Sequence, residues 1–434
     1  MTNVNTSAAG RRERVLRAAV RQGLLAPDRA VLAAFVDLDG VAASVRALHA
    51  AFPGAVSVLH TFAAKANCLV PVLRELRALG MGCEAASAGE LAQALAAGFA
   101  PDRIVFDSPA KTRPELARAL ELGVAVNADS FEELDRIDAV LARGPSSSRI
   151  GVRLNPQVGG GRIAAMSTAT ATSKFGVALD DDGNRRRLLD AFRARPWLTW
   201  VHTHVGSQGC PPELLAEGVA RAVAFADEVG RTTGRRVSGI DIGGGLPVDF
   251  RGDDTGPGFD AYARRLQERV PRLFGGEYRV VTEFGRSLLA KNGFTAALVE
   301  YAKTSGGRSV AITHAGAQVA ARTVFMPSDW PLRITAHNPD GSPKAGEPVR
   351  QDIAGPCCFA GDLLARDRPL PLLAPGDIVC LLDTGAYYSS TPFHYNSLPD
   401  PAVHGVRVGP AGDIAFEPLR RAETLEDVLA RTGG

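Results

Sequence analysis

Between residues 39 and 290 two hydrophobic rhythms alternate. Short runs of β-branched and apolar residues predict strands at 56–62, 82–85, 103–107, 124–128, 149–154, 199–205, 239–242 and 279–283. Between them, apolar positions three and four apart predict helices at 70–79, 88–97, 113–122, 130–141, 212–229 and 259–273. Eight strand–helix alternations over this length predict a closed parallel (β/α)8 barrel. An open doubly wound sheet would want a Gly-rich turn after its first strand, and none is there. After residue 290 the rhythm changes. Strands are expected at 294–302, 309–313, 332–337, 349–353, 377–382, 403–408 and 413–417, separated by Gly/Pro turns, with helix almost absent until the last dozen residues. The picture is a barrel at 39–290 and a C-terminal all-β domain at 291–434. The segment 1–38, whose strand at 31–38 precedes the barrel, is expected to join the β-domain. The Gly- and Pro-rich stretches 251–258 and 338–348 read as exposed loops.

Composition narrows the partners. A net charge of +2 with no block of like charge argues against nucleic acid or a membrane surface. The N-terminus has no apolar core of a signal peptide, and no stretch is long and apolar enough for a membrane helix. Six cysteines in 434 residues, two of them adjacent (Cys357 and Cys358), do not form a disulfide framework and point to a reducing cytoplasm.

Polar residues collect at the predicted C-terminal strand ends, where barrels carry their chemistry. Lys65 follows strand 1, Glu84 and Ser87 strand 2, and Arg153 and Asn155 end strand 5. His202, His204 and Ser207 end strand 6, Asp241 and Gly243–Gly245 strand 7, and Glu283 and Arg286 strand 8. Lys65 alone would be an ordinary solvated lysine. Flanked by Phe62, Ala63, Ala64 and Ala66, it is expected to be desolvated and able to form a Schiff base with an aldehyde. The glycines let backbone N–H groups approach a phosphate, with further donors from Gly206 and Ser207. Glu283 can hold a pyridine nitrogen protonated. Lysine, phosphate loops and carboxylate together describe a site for pyridoxal 5′-phosphate. His202 and His204, two apart, can alternatively bind a metal as in barrel hydrolases. The remaining histidines are poorly placed to complete such a site, so no metal is expected, and His204 fits better as a plate stacked on the cofactor ring.

FAAKAN, EAASAGEL, HTHVGSQ, DIGGGLP, EFGRSL, GPCCFAGD and DTGAYY stand in the order and spacing of the diaminopimelate/ornithine decarboxylase family, fold-type III pyridoxal-phosphate enzymes. The similarity runs from about residue 30 to about residue 410 and resembles the diaminopimelate decarboxylase branch most. The resemblance implies an alanine-racemase-like barrel with a C-terminal β-domain. It implies that Lys65 is the Schiff-base lysine, His204 the stacking histidine and Glu283 the partner of the pyridine nitrogen. Ser207, Gly243, Gly244, Gly245 and Arg286 would contact the phosphate and adjacent substrate, and Tyr387 would reach the phosphate. Cys358 would help to reprotonate the product. A homodimer with sites shared across the interface, Cys358 coming from the partner, is implied in the same way.

The chain departs from that pattern where the substrate's far end should sit. After the cysteine, the family carries a Glu or Asp that pairs with a distal amine; here the residue is Phe359. THAGAQVAARTVFM places His314 and Met326 where the branch typically has Asp and Tyr, yet keeps Arg322. In that branch arginines at the positions of Arg286 and Arg322 grip a distal carboxylate. EFGR replaces EPGR, so Phe284 adds bulk beside Glu283, and Glu84 replaces a usual Asp. These changes point to decarboxylation of an amino acid with a carboxylate-bearing tail and no free distal amine. A citryl- or acyl-conjugated diamino acid of siderophore or antibiotic biosynthesis would suit. The alternatives are meso-diaminopimelate decarboxylase of lysine biosynthesis and, in another class, a non-catalytic cofactor-binding homologue. A racemase fits less well, since that group sets an Arg rather than Glu283 against the ring nitrogen.

Overall fold

The computed structural model describes residues 7–52, 57–253 and 258–434. Two compact units result, one of Ala42–Val248 with Gly256–Leu288, the other of Met1–Val41, Asp249–Thr255 and Leu289–Gly434.

The first unit is a closed barrel. Its parallel strands run Val58–Ala63, Gly82–Ala85, Ile104–Phe106, Ala125–Ala128, Ile150–Asn155, Leu198–His202, Gly239–Asp241 and Arg279–Phe284. The ring closes because Arg279–Phe284 pairs with Val58–Ala63 and Ala125–Ala128 pairs with Ile150–Asn155. The start of the first expected strand, residue 56, lies outside the described residues, as do 254–257 of the expected loop and residues 1–6. Two helices not expected from the pattern, Leu38–Ala51 and Asn184–Ala194, complete the outer layer. Local chemistry sets the helix starts: Ser87, Thr112 and Ser130 each cap the backbone N–H three residues on, and Thr112 forms a reciprocal capping box with Glu115.

The second unit is built on one sheet in the order Leu363–Pro371, Pro348–Ala354, Arg308–Thr313, Gly293–Ser305, Leu32–Asp37, Ala402–Val408, Ile414–Arg420. Ile378–Leu382 bridges Gly293–Ser305 to Ile334–His337. The early strand Leu32–Asp37 lies between Gly293–Ser305 and Ala402–Val408. Three elements differ from the sequence pattern. Ala8–Arg21 is a helix, buried through Val15, Leu16 and Ala19. Leu363–Pro371 is a strand although it carries two prolines and three charges; it pairs on one side only, where missing N–H donors are tolerated. Ala317–Phe325 is a helix, interrupted by a non-helical Ala320, and it carries Arg322. No helix among the described residues is long and apolar enough to cross a membrane.

Candidate active site

The barrel's strand ends hold a lattice of buried charge. Lys65 sits in a 3-10 turn after the first strand and donates to Glu84 Oε2 at 2.6 Å. The flanking Phe62, Ala63, Ala64 and Ala66 are buried, but the lysine side chain is 38% exposed, so it is a paired cation at a mouth and not the desolvated amine that its neighbours predict. Glu84 is fully buried. Burial pushes its carboxyl up to about 8, Lys65 opposing and Glu283 and Asp107 adding to the rise.

His202 closes the sixth strand between two carboxylates, with Nδ1 3.6 Å from Asp107 and Nε2 3.7 Å from Glu283. Burial opposes its charge, yet Asp107, Glu283 and Asp241 outweigh this and raise it to about 9. Burial likewise opposes the charge on Glu283, but His202, His204 and Lys65 hold it well below the usual carboxylate range. Asp107 Oδ2 accepts from Arg153 at 3.0 Å, and Asn127 donates to Asp241 at 3.2 Å. Asp107, His202 and Glu283 lie close enough to share a metal ion. Each is instead accounted for electrostatically, as an imidazolium flanked by two carboxylates beside Lys65 and Arg153. Sequence reasoning passed over Asp107, Asn127 and Asp129. Their signal was present, because all three follow or end strands three and four.

His204 lies past the strand's last residue, so the pair does not share a strand face. Its Nδ1 lies 3.2 Å from the Gly244 N–H and 3.6 Å from Glu283 Oε2, and burial lowers its pKa. The result is a neutral imidazole, suited to lie against a cationic ring.

The Gly243–Gly245 turn is less generous than expected. Gly243 N–H donates to Asp241 and Gly244 N–H to His204. Among the described residues only the Gly245 N–H of the three has no acceptor. Gly245 is at φ +95°, and a Cβ there would meet the Gly206 carbonyl oxygen at 1.8 Å, so backbone approach requires glycine. The Ser207 N–H is also taken, by the Met166 carbonyl, which leaves its hydroxyl, reached by Arg286 at 3.4 Å. Phe284 adds no bulk to this site: its ring packs outward against Phe259 and Tyr262, as alternation along the strand demands.

These residues fit pyridoxal phosphate on three counts. A lysine amine stands at the mouth, and Glu283 is buried, ionised and without a hydrogen-bond donor on either oxygen among the described residues. The Gly245 N–H, Ser207 hydroxyl and Arg286 supply donors for a phosphate.

The β-domain carries the other expected residues. Cys357 is buried and Cys358 exposed, so the small core thiol of the pair is Cys357. Asp362 fixes their loop by accepting from the N–H groups of Ala317 (2.6 Å) and Cys357 (2.7 Å). Phe359 stacks on Phe325 at 5.6 Å with the rings 1° from parallel, and Met326, beside Phe325, is 39% exposed. Arg322 lies over the rings of Tyr387 (4.3 Å) and Trp330 (5.0 Å). Tyr387 itself holds φ +68°, a strained conformation for an aromatic residue.

The model of the pyridoxal-dependent decarboxylase pyridoxal-binding domain matches residues 38–290. The chain is 33% identical over 374 residues to the diaminopimelate decarboxylase of Pseudomonas aeruginosa, covering 85% of both chains. It is 30% identical over 377 residues to the L-glutamyl-[BtrI acyl-carrier protein] decarboxylase of Niallia circulans, covering 84% of this chain and 86% of that one. Among solved structures, diaminopimelate decarboxylase from Helicobacter pylori complexed with L-lysine aligns with a TM-score of 0.82 at 26% identity, over 95% of this chain and 99% of the other. The chain therefore belongs to the pyridoxal-dependent decarboxylases, and it is an enzyme that uses pyridoxal phosphate to decarboxylate an amino acid.

Proposed function

We propose that the chain removes the α-carboxylate of an amino acid whose far end carries an anion and no free ammonium, as in a citryl- or acyl-conjugated diamino acid of siderophore or antibiotic assembly. The observation that carries this reading is the stack of Phe359 on Phe325, the last residue of the helix that also carries Arg322. Among the described residues no carboxylate pairs with the Arg322 guanidinium, which rests on aromatic faces alone. A substrate ammonium buried against Phe359 would lack a counter-ion at a cost of several kcal/mol. A cation–π contact would return only about 0.5–2 kcal/mol of that. An anionic tail has Arg322 to meet it.

Pyridoxal phosphate, when bound, supplies a sink for the electron pair left at Cα as CO2 departs. Lys65 would hold the reactive end of the bound cofactor, with Glu84 at 2.6 Å as its hydrogen-bond partner. Glu283, kept ionised by His202, would hold a proton on the ring nitrogen. Neutral His204 would cover the ring face and the Gly245 N–H, Ser207 and Arg286 would hold the phosphate, which, as the resemblance implies, the Tyr387 hydroxyl would also reach. Cys358 returns a proton to Cα. We place Cys358 in the partner's site of a homodimer. The resemblance supports this, as does the exposure of Cys358, Phe325 (55%) and Tyr395 (42%) on the isolated chain. All six thiols are free, which suits a cytoplasmic enzyme.

The second reading is diaminopimelate decarboxylation. The names of most relatives favour it over the first; residue 359 and the glutamyl-carrier relative favour the first. CO2 release from diaminopimelate, lysine, ornithine and carboxylate-tailed conjugates of diaminopropionate separates them. Turnover of the conjugates with kcat/KM above that of diaminopimelate is expected, and the reverse order would establish the second reading.

A further inference from the structure

The backbone N–H groups of Gly355, Cys357 and Phe359, in the loop that presents Cys358, all find acceptors within the loop, and that of Cys358 does not. Gly355 N–H donates to the Asp362 carbonyl, Cys357 N–H to Asp362 Oδ2, and Phe359 N–H to the Cys357 carbonyl. The Cys358 N–H donates instead to Asn396 Oδ1 at 2.7 Å, 38 positions along the chain. Its carbonyl accepts from the Tyr395 hydroxyl at 3.5 Å. Two successive residues of one turn therefore grip both polar groups of one residue. That turn is strained: Asn396 is at φ +59° and Ser397 at φ +53°, left-handed positions that Asn tolerates and most residues do not. The Tyr395 ring also meets Phe359 edge-on at 5.7 Å, with Phe393 stacked behind it.

We propose that Asn396, assisted by Tyr395, is a positioning residue that fixes the peptide of Cys358 so that its thiol is presented outward for proton transfer. The step it serves breaks the S–H bond and forms the Cα–H bond, and the thiolate then regains a proton from water. This rests on Cys358 being the proton donor of the proposed function.

Three variants test it in the holoenzyme. Asn396→Gly keeps the left-handed backbone and removes the acceptor; Asn396→Asp keeps both; Cys358→Ala removes the donor. Each is assayed for kcat and KM, and alkylation of Cys358 by iodoacetamide is followed by mass spectrometry with Cys68 as internal reference. Asn396→Gly is expected to lower kcat about tenfold with KM within about twofold, and to change the Cys358 alkylation rate severalfold while that of Cys68 holds. Asn396→Asp is expected to restore both. Wild-type kcat and alkylation in Asn396→Gly would overturn the proposal, as would failure of Asn396→Asp to rescue. If Cys358→Ala leaves kcat unchanged, the proton-donor reading falls, and the alkylation rates alone decide whether Asn396 positions the thiol.

Discussion

The barrel's strand ends and the Gly355–Asp362 loop of the β-domain make opposite kinds of site. At the strand ends the charged groups are paired: Lys65 at the mouth with buried Glu84, and, fully inside, Arg153 with Asp107 and His202 between Asp107 and Glu283. Protonation there is decided by neighbours within one chain. In the β-domain, Cys358, Phe325 and Tyr395 are exposed, and Arg322 has aromatic faces and, among the described residues, no counter-ion. The first region is a finished device for cofactor chemistry. In the proposed function the second is half of a site completed by a partner subunit, and it holds Phe359 and Met326, two of the departures from the pattern the sequence resembles. On the proposed function, this difference divides reaction type, set in the barrel, from substrate choice, set in the β-domain.

That division can be broken most forcefully at Lys65. Lys65→Ala is expected to lower kcat/KM on the order of a thousandfold or more and to abolish the visible absorption band of bound cofactor; a retained band would contradict the barrel's role. Glu283→Gln, which keeps shape and removes charge, is expected to cost about 100- to 1,000-fold in kcat, measured at saturating cofactor. Mixing inactive Lys65→Ala and Cys358→Ala chains sharpens the claim that the β-domain completes a partner's site. Random dimers would recover about a quarter of wild-type activity, whereas sites built within one chain would recover none.

The smallest effect concerns pH. His202 rises from 6.5 to about 9 on folding and Glu84 from 4.5 to about 8. A raised folded-state pKa contributes stability below the unfolded value that is lost as pH climbs through the folded one. The Tm of the wild type should therefore fall between pH 7 and 9.5. His202→Gln should lessen that fall by about 2–4 °C, read by calorimetry.

Much of the barrel was legible because each strand carries its own period and the residues proposed to react stand at strand ends. The places of Lys65, His204 and Glu283 at or just past strand ends could be read that way. Asp107 could not be ranked, since its importance comes from facing His202 across the closed ring, and local pattern does not record which strand ends face. The Ala317–Phe325 helix was hidden by the break at Ala320 and the preceding glycine, and Leu363–Pro371 by its prolines. Asn396 reads as one more polar loop residue until the chain folds it back onto Cys358. Phe284 shows the converse: a conspicuous substitution turned outward into helix packing.

The most direct test of the division is Phe359→Glu, scored as the ratio of kcat/KM for diaminopimelate to that for a carboxylate-tailed conjugate. A carboxylate at 359 restores the missing partner for a distal ammonium and repels an anionic tail. The ratio should therefore rise by about tenfold or more, with the cofactor band unchanged. An unchanged ratio would show that residue 359 does not meet the substrate's far end, and would contradict the assignment of substrate choice to this loop.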